Sequence, residues 1–200
     1  MMIAAGIIAL VALAATVASL AWLHLQPTKL SPIRDPVSQY GITGFRDGYR
    51  AATIAFGAAG LALAVGISEA LGTRGLAAVI LLVVFGITRA VISWVPMDAP
   101  GMKWTRRGWA HFGLAFAAFG SVMAAAFVLG AVLSHPGTWH ALNPVSTALG
   151  YAMTACLALF GLAQTVPALR ARSGAIERGF YLFAIAWCAV FAVACAAGVG

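Results

Sequence analysis

Six apolar runs, each of 21 residues or more and separated by short loops, dominate this sequence. They cover residues 1–25, 49–71, 75–95, 108–133, 147–169 and 179–199. Their length decides the solvent. At about 1.5 Å per residue, a helix needs about 20 residues to cross a hydrocarbon layer about 30 Å thick. Charge is correspondingly scarce, at 8% of residues, where a soluble domain carries about 25%. Such a chain cannot coat a surface for water. The expectation is an all-α fold, an integral membrane bundle of six transmembrane helices, forming a single domain over residues 1–200. The first run has no basic segment ahead of it and is too long for a secretory signal, so it counts as a span.

The 12 Lys and Arg residues set the orientation. Lys29, Arg34, Arg46 and Arg50 follow the first run. Lys103, Arg106 and Arg107 join the third run to the fourth, and Arg170, Arg172 and Arg178 join the fifth to the sixth. Ten basic residues thus lie on one side, against Arg74 alone on the other, with Arg89 inside the third run. The positive-inside bias puts the ten in the cytoplasm and both termini outside, in an inner (plasma) membrane. The net charge of +7 then reads as a topology signal and as attraction to anionic lipid; nucleic acid is not an expected partner. Cys156, Cys188 and Cys195 lie in apolar runs and read as inert thiols. His135 and His140 have no third ligand nearby, so neither metal nor cofactor is expected. Small residues recur along the second run (Gly57, Gly60, Ala64) and the fourth (Gly113, Ala117, Ser121, Ala125), as close helix packing in lipid requires.

Four of the five acids, Asp35, Asp47, Asp98 and Glu177, share the basic side. Pro32 and Pro36 bar a helix through the first inner loop and leave Arg34 and Asp35 in a stiff, polar turn between Ser31 and Ser38. Arg89 lies six residues, about 9 Å, inside the third span. At a helix centre a basic group costs about 2.5–3.5 kcal/mol to insert, less near an end. An anionic partner is therefore expected, either Asp98 or Asp35, in a structural ion pair or in a ligand site. His111 sits at a similar depth in the fourth span. His24 ends the first, and a haem between the two is disfavoured because both lie near one interface. The second, fourth and sixth spans begin on this side, with free N–H groups, positive dipole ends and Arg50, Arg106, Arg107 and Arg178. Converging, they would form an anion-binding concavity suited to phosphate or carboxylate on an amphipathic molecule.

The segments Leu30-Ser-Pro-Ile-Arg-Asp-Pro-Val-Ser-Gln-Tyr40 and Trp94-Val-Pro-Met-Asp98, with His111 and Glu177-Arg-Gly-Phe-Tyr181, give the chain a resemblance over nearly its full length. It resembles the bacterial and archaeal membrane family known as domain of unknown function 998. The resemblance implies a six-helix membrane fold, no established activity, and importance for Arg34, Asp35, Ser38, Tyr40, Asp98, His111 and Glu177. Gln39 departs from the acid this family often carries after the serine.

Three functions compete. The first is a cytoplasmic-side site for an anionic amphiphile, such as a phospholipid or a prenyl phosphate, built from Arg34, Ser38, Tyr40, Arg89, Arg106, Glu177 and Arg178. The second is a membrane-embedded enzyme using Asp35, Asp98 and His111 for acid–base chemistry on a lipid or isoprenoid. The third is a proton-coupled transporter or channel. It needs polar residues at all depths, where Thr16, Ser19, Thr154 and Gln164 are scattered. The expected partners are membrane lipid and the amphipathic ligand, with homo-oligomerisation left open.

Overall fold

The computed structural model describes residues 1–163 and 165–198, so Gln164 and the end of the sixth run at Val199 lie outside the described residues. The described chain is 80% helical and holds no strand. Five helical stretches are long and apolar enough to cross a membrane: Met2–His24, Arg46–Trp94, Arg106–Leu133, His140–Leu162 and Ser173–Ala196. The helices are α1 (Met2–His24), α2 (Arg46–Leu71), α3 (Leu76–Val91), α4 (Arg106–Leu133), α5 (Asn143–Leu162), the short α6 (Pro167–Arg170) and α7 (Ser173–Ala196). The 49-residue stretch Arg46–Trp94 contains both α2 and α3, and they fold back on each other at Gly72. The φ of +54° there ends α2 in a conformation that favours glycine. Ile3, Val11, Leu76, Ile80, Leu182 and Val193 face outward, an apolar coat that suits lipid and not water.

The helices close a ring. Each of α1 to α5 packs on the next, α5 packs on α7, and α7 returns to α1 while also touching α2. Leu63, Ile67, Leu82, Phe85, Leu129, Trp187 and Phe191 fill the core. One polar relay crosses it. The Trp187 indole donates to Ser146 Oγ (2.9 Å), which donates to the Ala126 carbonyl (2.8 Å), tying α7, α5 and α4 together. The glycines of α2 act as expected: a Cβ on Gly57 would meet the Gly86 carbonyl oxygen at 2.6 Å. On α4 the small-residue stripe packs only in part. Ser121 and Ala125 are buried, but Gly113 is exposed with open space around it.

Two boundaries differ from expectation by six residues or more. The fifth run was expected to stay helical to residue 169, but α5 stops at Leu162. Pro167 lacks an N–H and holds Val166 extended (φ −98°, ψ 111°), so the helix cannot pass. The last helix begins at Ser173, six residues earlier than expected, because the loop between α1 and α2 supplies partners for its start. Ala175 N–H donates to the Ile33 carbonyl (2.9 Å) and Ser173 Oγ to the Arg34 carbonyl (2.8 Å). Gly174 lets the backbones meet: a Cβ there would lie 2.5 Å from the Asp35 carbonyl oxygen.

Candidate functional site

Arg89, in the last turn of α3, is 1% exposed. Its Nη2 donates to the Tyr181 hydroxyl on α7 at 2.6 Å. Its guanidinium carbon lies 5.1, 5.7 and 5.8 Å from the ring centroids of Tyr181, Phe119 and Phe56. Three aromatic faces from α7, α4 and α2 thus cage the cation. Tyr49, also on α2, interacts with the same guanidinium, and Arg89 Nε has no hydrogen-bond partner. The expected carboxylate partners are not there. Asp98 binds Thr105 and Asp35 binds Ser31. Among the described residues the ion pair within reach is Arg50 with Asp47, at 3.0 Å. Ring faces and a phenol meet the needs of a flat, weakly hydrated guanidinium that charge counting alone assigns to an acid.

Glu177, one turn inside α7, is 5% exposed, and its Oε2 accepts the Val37 backbone N–H at 2.6 Å. That bond docks the 3-10 turn Val37–Ile42 onto α7. Asp98 sits in the loop ahead of α4. It accepts from the Thr105 backbone N–H (2.7 Å) and from Thr105 Oγ1 (2.8 Å), while Thr105 Oγ1 accepts from Gly108 N–H and caps the helix. The backbone bond and then the hydroxyl bond from Thr105 hold the Asp98 carboxyl below its ordinary range. A Cβ on Gly108 would collide with the Asp98 carboxylate, so a larger residue there would push that side chain away from its bonds to Thr105. His111 Nδ1 lies 2.6 Å from the Val95 carbonyl oxygen. A carbonyl can only accept, so Nδ1 carries the hydrogen and Nε2 is left as the acceptor of the neutral ring.

These groups border one cavity of about 370 Å³, within the range of small-molecule sites. Tyr49, Arg89, Asp98, His111 and Glu177 form its polar end, with Ser38 beside them. Phe112 and Phe116 of α4, and Leu157, Phe160 and Gly161 of α5, form an apolar side. Phe112 and Phe116 are also exposed on the outer surface of the bundle. Its lining thus joins buried charge to residues of α4 and α5 that include part of the outer surface.

The other expected residues serve elsewhere. Asp35 Oδ2 accepts from Ser31 N–H (2.6 Å), and the Arg34 side chain points outward. Arg178 grips the loop between α1 and α2. Its Nη1 donates to the carbonyls of Pro32 (2.8 Å), Asp35 (2.8 Å) and Gly174 (2.9 Å), and its Nε to His24 Nε2 (2.7 Å). Both nitrogens of His24 are thereby used, since Nδ1 meets the Leu20 carbonyl at 2.6 Å, and His24 does not border the cavity with His111. Tyr40 is buried beside the His24 ring, 5.7 Å between centroids, and Arg106 is exposed away from the cavity. The concavity expected from three arginine-bearing helix starts is thus replaced by one built on Arg89. Sequence reasoning missed Tyr49, Phe56, Phe119 and Tyr181. The available signal was the Glu177-to-Tyr181 spacing of four, which puts both on one helix face.

Among the described residues, no group of three or more His, Cys, Asp or Glu comes together as metal ligands would. None of the curated proteins and none of the solved structures matches this chain. A family model does match, over residues 4–194, and by it the chain belongs to the family described as protein of unknown function (DUF998).

Proposed function

We propose that this membrane protein binds an anionic amphiphile, a phospholipid-like or prenyl-phosphate-like molecule, with its head in the Arg89 cavity and its tail leaving between α4 and α5. The observation that carries the reading is a buried guanidinium, unpaired with any carboxylate among the described residues, at the polar end of a cavity with an otherwise apolar wall. An ionisable residue at membrane depth is expensive to keep and marks function by default. An anion would supply the counter-charge that the aromatic cage lacks. Exposed Phe112 and Phe116 support entry from the bilayer, because a lipid tail need not leave the hydrocarbon.

In this reading α2 and α3 cross separately, giving six spans in one domain of an inner membrane. The ten basic residues, and with them the cavity mouth, face the cytoplasm and both termini lie outside. Impermeant thiol labelling of a cysteine-free background tests it: Lys103→Cys should react only from the cytoplasmic side and Arg74→Cys only from outside. The reverse pattern overturns the orientation. For binding, Arg89→Ala should weaken retention of dioleoyl phosphatidic acid by about tenfold or more, as loss of a buried charge contact does. Arg106→Ala, outside the cavity, should change it little. Equal retention by wild type and Arg89→Ala sinks the proposal.

A second reading, acid–base catalysis on a bound amphiphile, is favoured by Asp98 and His111 bordering the same cavity. Asp35 has no part in it, being held in its own turn. His111→Gln and Asp98→Asn should each abolish turnover of a radiolabelled membrane-lipid extract. Absence of any turnover by wild type removes this reading and leaves the first.

A further inference from the structure

The cavity holds charge of both signs, and its carboxylates outnumber its guanidinium. Arg89 is the cation on its wall, while Glu177 and Asp98 are acids on the same wall. Arg89 and Glu177 are both buried and electrostatically coupled, yet they make no ion pair with each other. Two opposite charges buried in a medium of low dielectric gain strongly from contact. They sit on different helices, α3 and α7, and both border the cavity without pairing. Arg178, the other cation acting on Glu177, spends its Nε and Nη1 on His24 and three backbone carbonyls. A simple anion in this cavity would gain from Arg89 and be repelled by Glu177 and Asp98. A molecule carrying a cation as well would satisfy both sets. Trp104 and Phe112, whose rings lie 5.7 Å apart, also border the cavity, and aromatic faces receive ammonium groups well.

We propose that the head group held here is zwitterionic, with a phosphate against Arg89 joined by a short spacer to an ammonium against Glu177, as in a phosphoethanolamine lipid. This rests on the amphiphile reading above and narrows it: the anionic phosphate stays against Arg89, and an amine on the same head group offsets the repulsion that Glu177 and Asp98 would exert on a bare anion. The phosphate lies nearer the tail, as the order of groups in such a lipid demands. The ammonium gives Glu177 the direct ion pair that neither Arg89 nor Arg178 makes with it, and Asp98 adds to its attraction.

The test is native mass spectrometry of the full chain in detergent, titrated in parallel with dioleoyl phosphatidylethanolamine and dioleoyl phosphatidylglycerol, the second of which has the phosphate without the amine. The ethanolamine lipid should bind about tenfold more tightly, the scale set by one buried charge contact. Glu177→Gln keeps an oxygen for the Val37 N–H, so it should fold. It should abolish the preference for the ethanolamine lipid, and glycerol-lipid binding should rise because a repelling carboxylate is gone. Equal affinity of wild type for the two lipids, or a preference surviving in Glu177→Gln, overturns the zwitterion proposal and leaves the amphiphile reading standing. Retention of neither lipid overturns both. Free phosphoethanolamine should fail to displace the lipid at equal concentration. Full displacement would assign the site to a soluble compound and overturn the lipid source.

Discussion

One substitution, Gly to Ala, should have opposite effects at two places in this bundle. At Gly174 an added Cβ would lie 2.5 Å from the Asp35 carbonyl oxygen and 2.8 Å from both the Asp35 nitrogen and the Pro32 oxygen. All three neighbours are backbone, so relief requires moving the loop as a unit. That motion pulls on five bonds: Ala175 N–H to Ile33, Ser173 Oγ to Arg34, Val37 N–H to Glu177, and Arg178 to Pro32 and to Asp35. At about 0.5–1.5 kcal/mol net for each, and with roughly half of them lost, the cost is about 1–4 kcal/mol. At Gly113 of α4 nothing lies within 4 Å of the new Cβ, and Ala should gain up to about 1 kcal/mol from helix propensity. Thermal unfolding of the two purified variants in one detergent, followed by tryptophan fluorescence, compares them directly. For a chain of this size the Gly174→Ala loss corresponds to a drop of about 2–15 °C, and Gly113→Ala to a shift of a few degrees at most, upward. Equal shifts at the two sites would refute the claim that the loop between α1 and α2 is clamped to α7.

Other expectations follow from single contacts. Ser146→Ala strands the buried Trp187 indole N–H, costing about 1–3 kcal/mol; a melting curve matching wild type would show that the relay contributes nothing. Arg89→Lys should bind amphiphile more weakly than wild type, because an ammonium cannot spread over three ring faces as a guanidinium does; undiminished affinity in the same lipid titration would count against the cage. For Asp98, Thr105 holds the folded carboxyl below its unfolded value, so its contribution to stability is present above the unfolded pKa and fades as pH falls through the folded one. Asp98→Asn should therefore flatten the acid side of the stability profile, and an unchanged acid limb would remove Asp98 as a contributor.

The helical frame was legible because lipid imposes it. Apolar length and the glycine at 72 locate α1, α2 and the turn to α3 within a few residues. The fourth helix starts at Arg106, two residues ahead of the expected position, where the Thr105 side chain caps it. The two misplaced boundaries have different causes. Pro167 carried a local signal that apolar length obscured. The early start of α7 had no local signal, because its partners are the carbonyls of Ile33 and Arg34, about 140 residues away. Arg89 was conspicuous in sequence as a charge where lipid tolerates few. Its surroundings were not readable. Phe56, Phe119 and Tyr181 come from three helices, and no one-dimensional pattern distinguishes them from the other core aromatics. The arginines at helix starts invited an anion site, yet Arg50 pairs with Asp47 and Arg178 holds backbone.

The closed ring has a consequence for biosynthesis. A chain entering the membrane from its N-terminus places α1 long before α7 exists, and α1 must wait beside α2 with its second packing face turned to lipid. The loop between α1 and α2 waits too. Val37, Ile33, Arg34, Pro32 and Asp35 all find partners on α7, the last of these helices to emerge from the ribosome. Glu177 and Tyr181 arrive with it, so the cavity comes into being only when the ring shuts. Until then Arg89 has neither its phenol partner nor a finished cage, and a nascent chain stalled before α7 would present the quality-control proteases of the membrane with an exposed intramembrane charge.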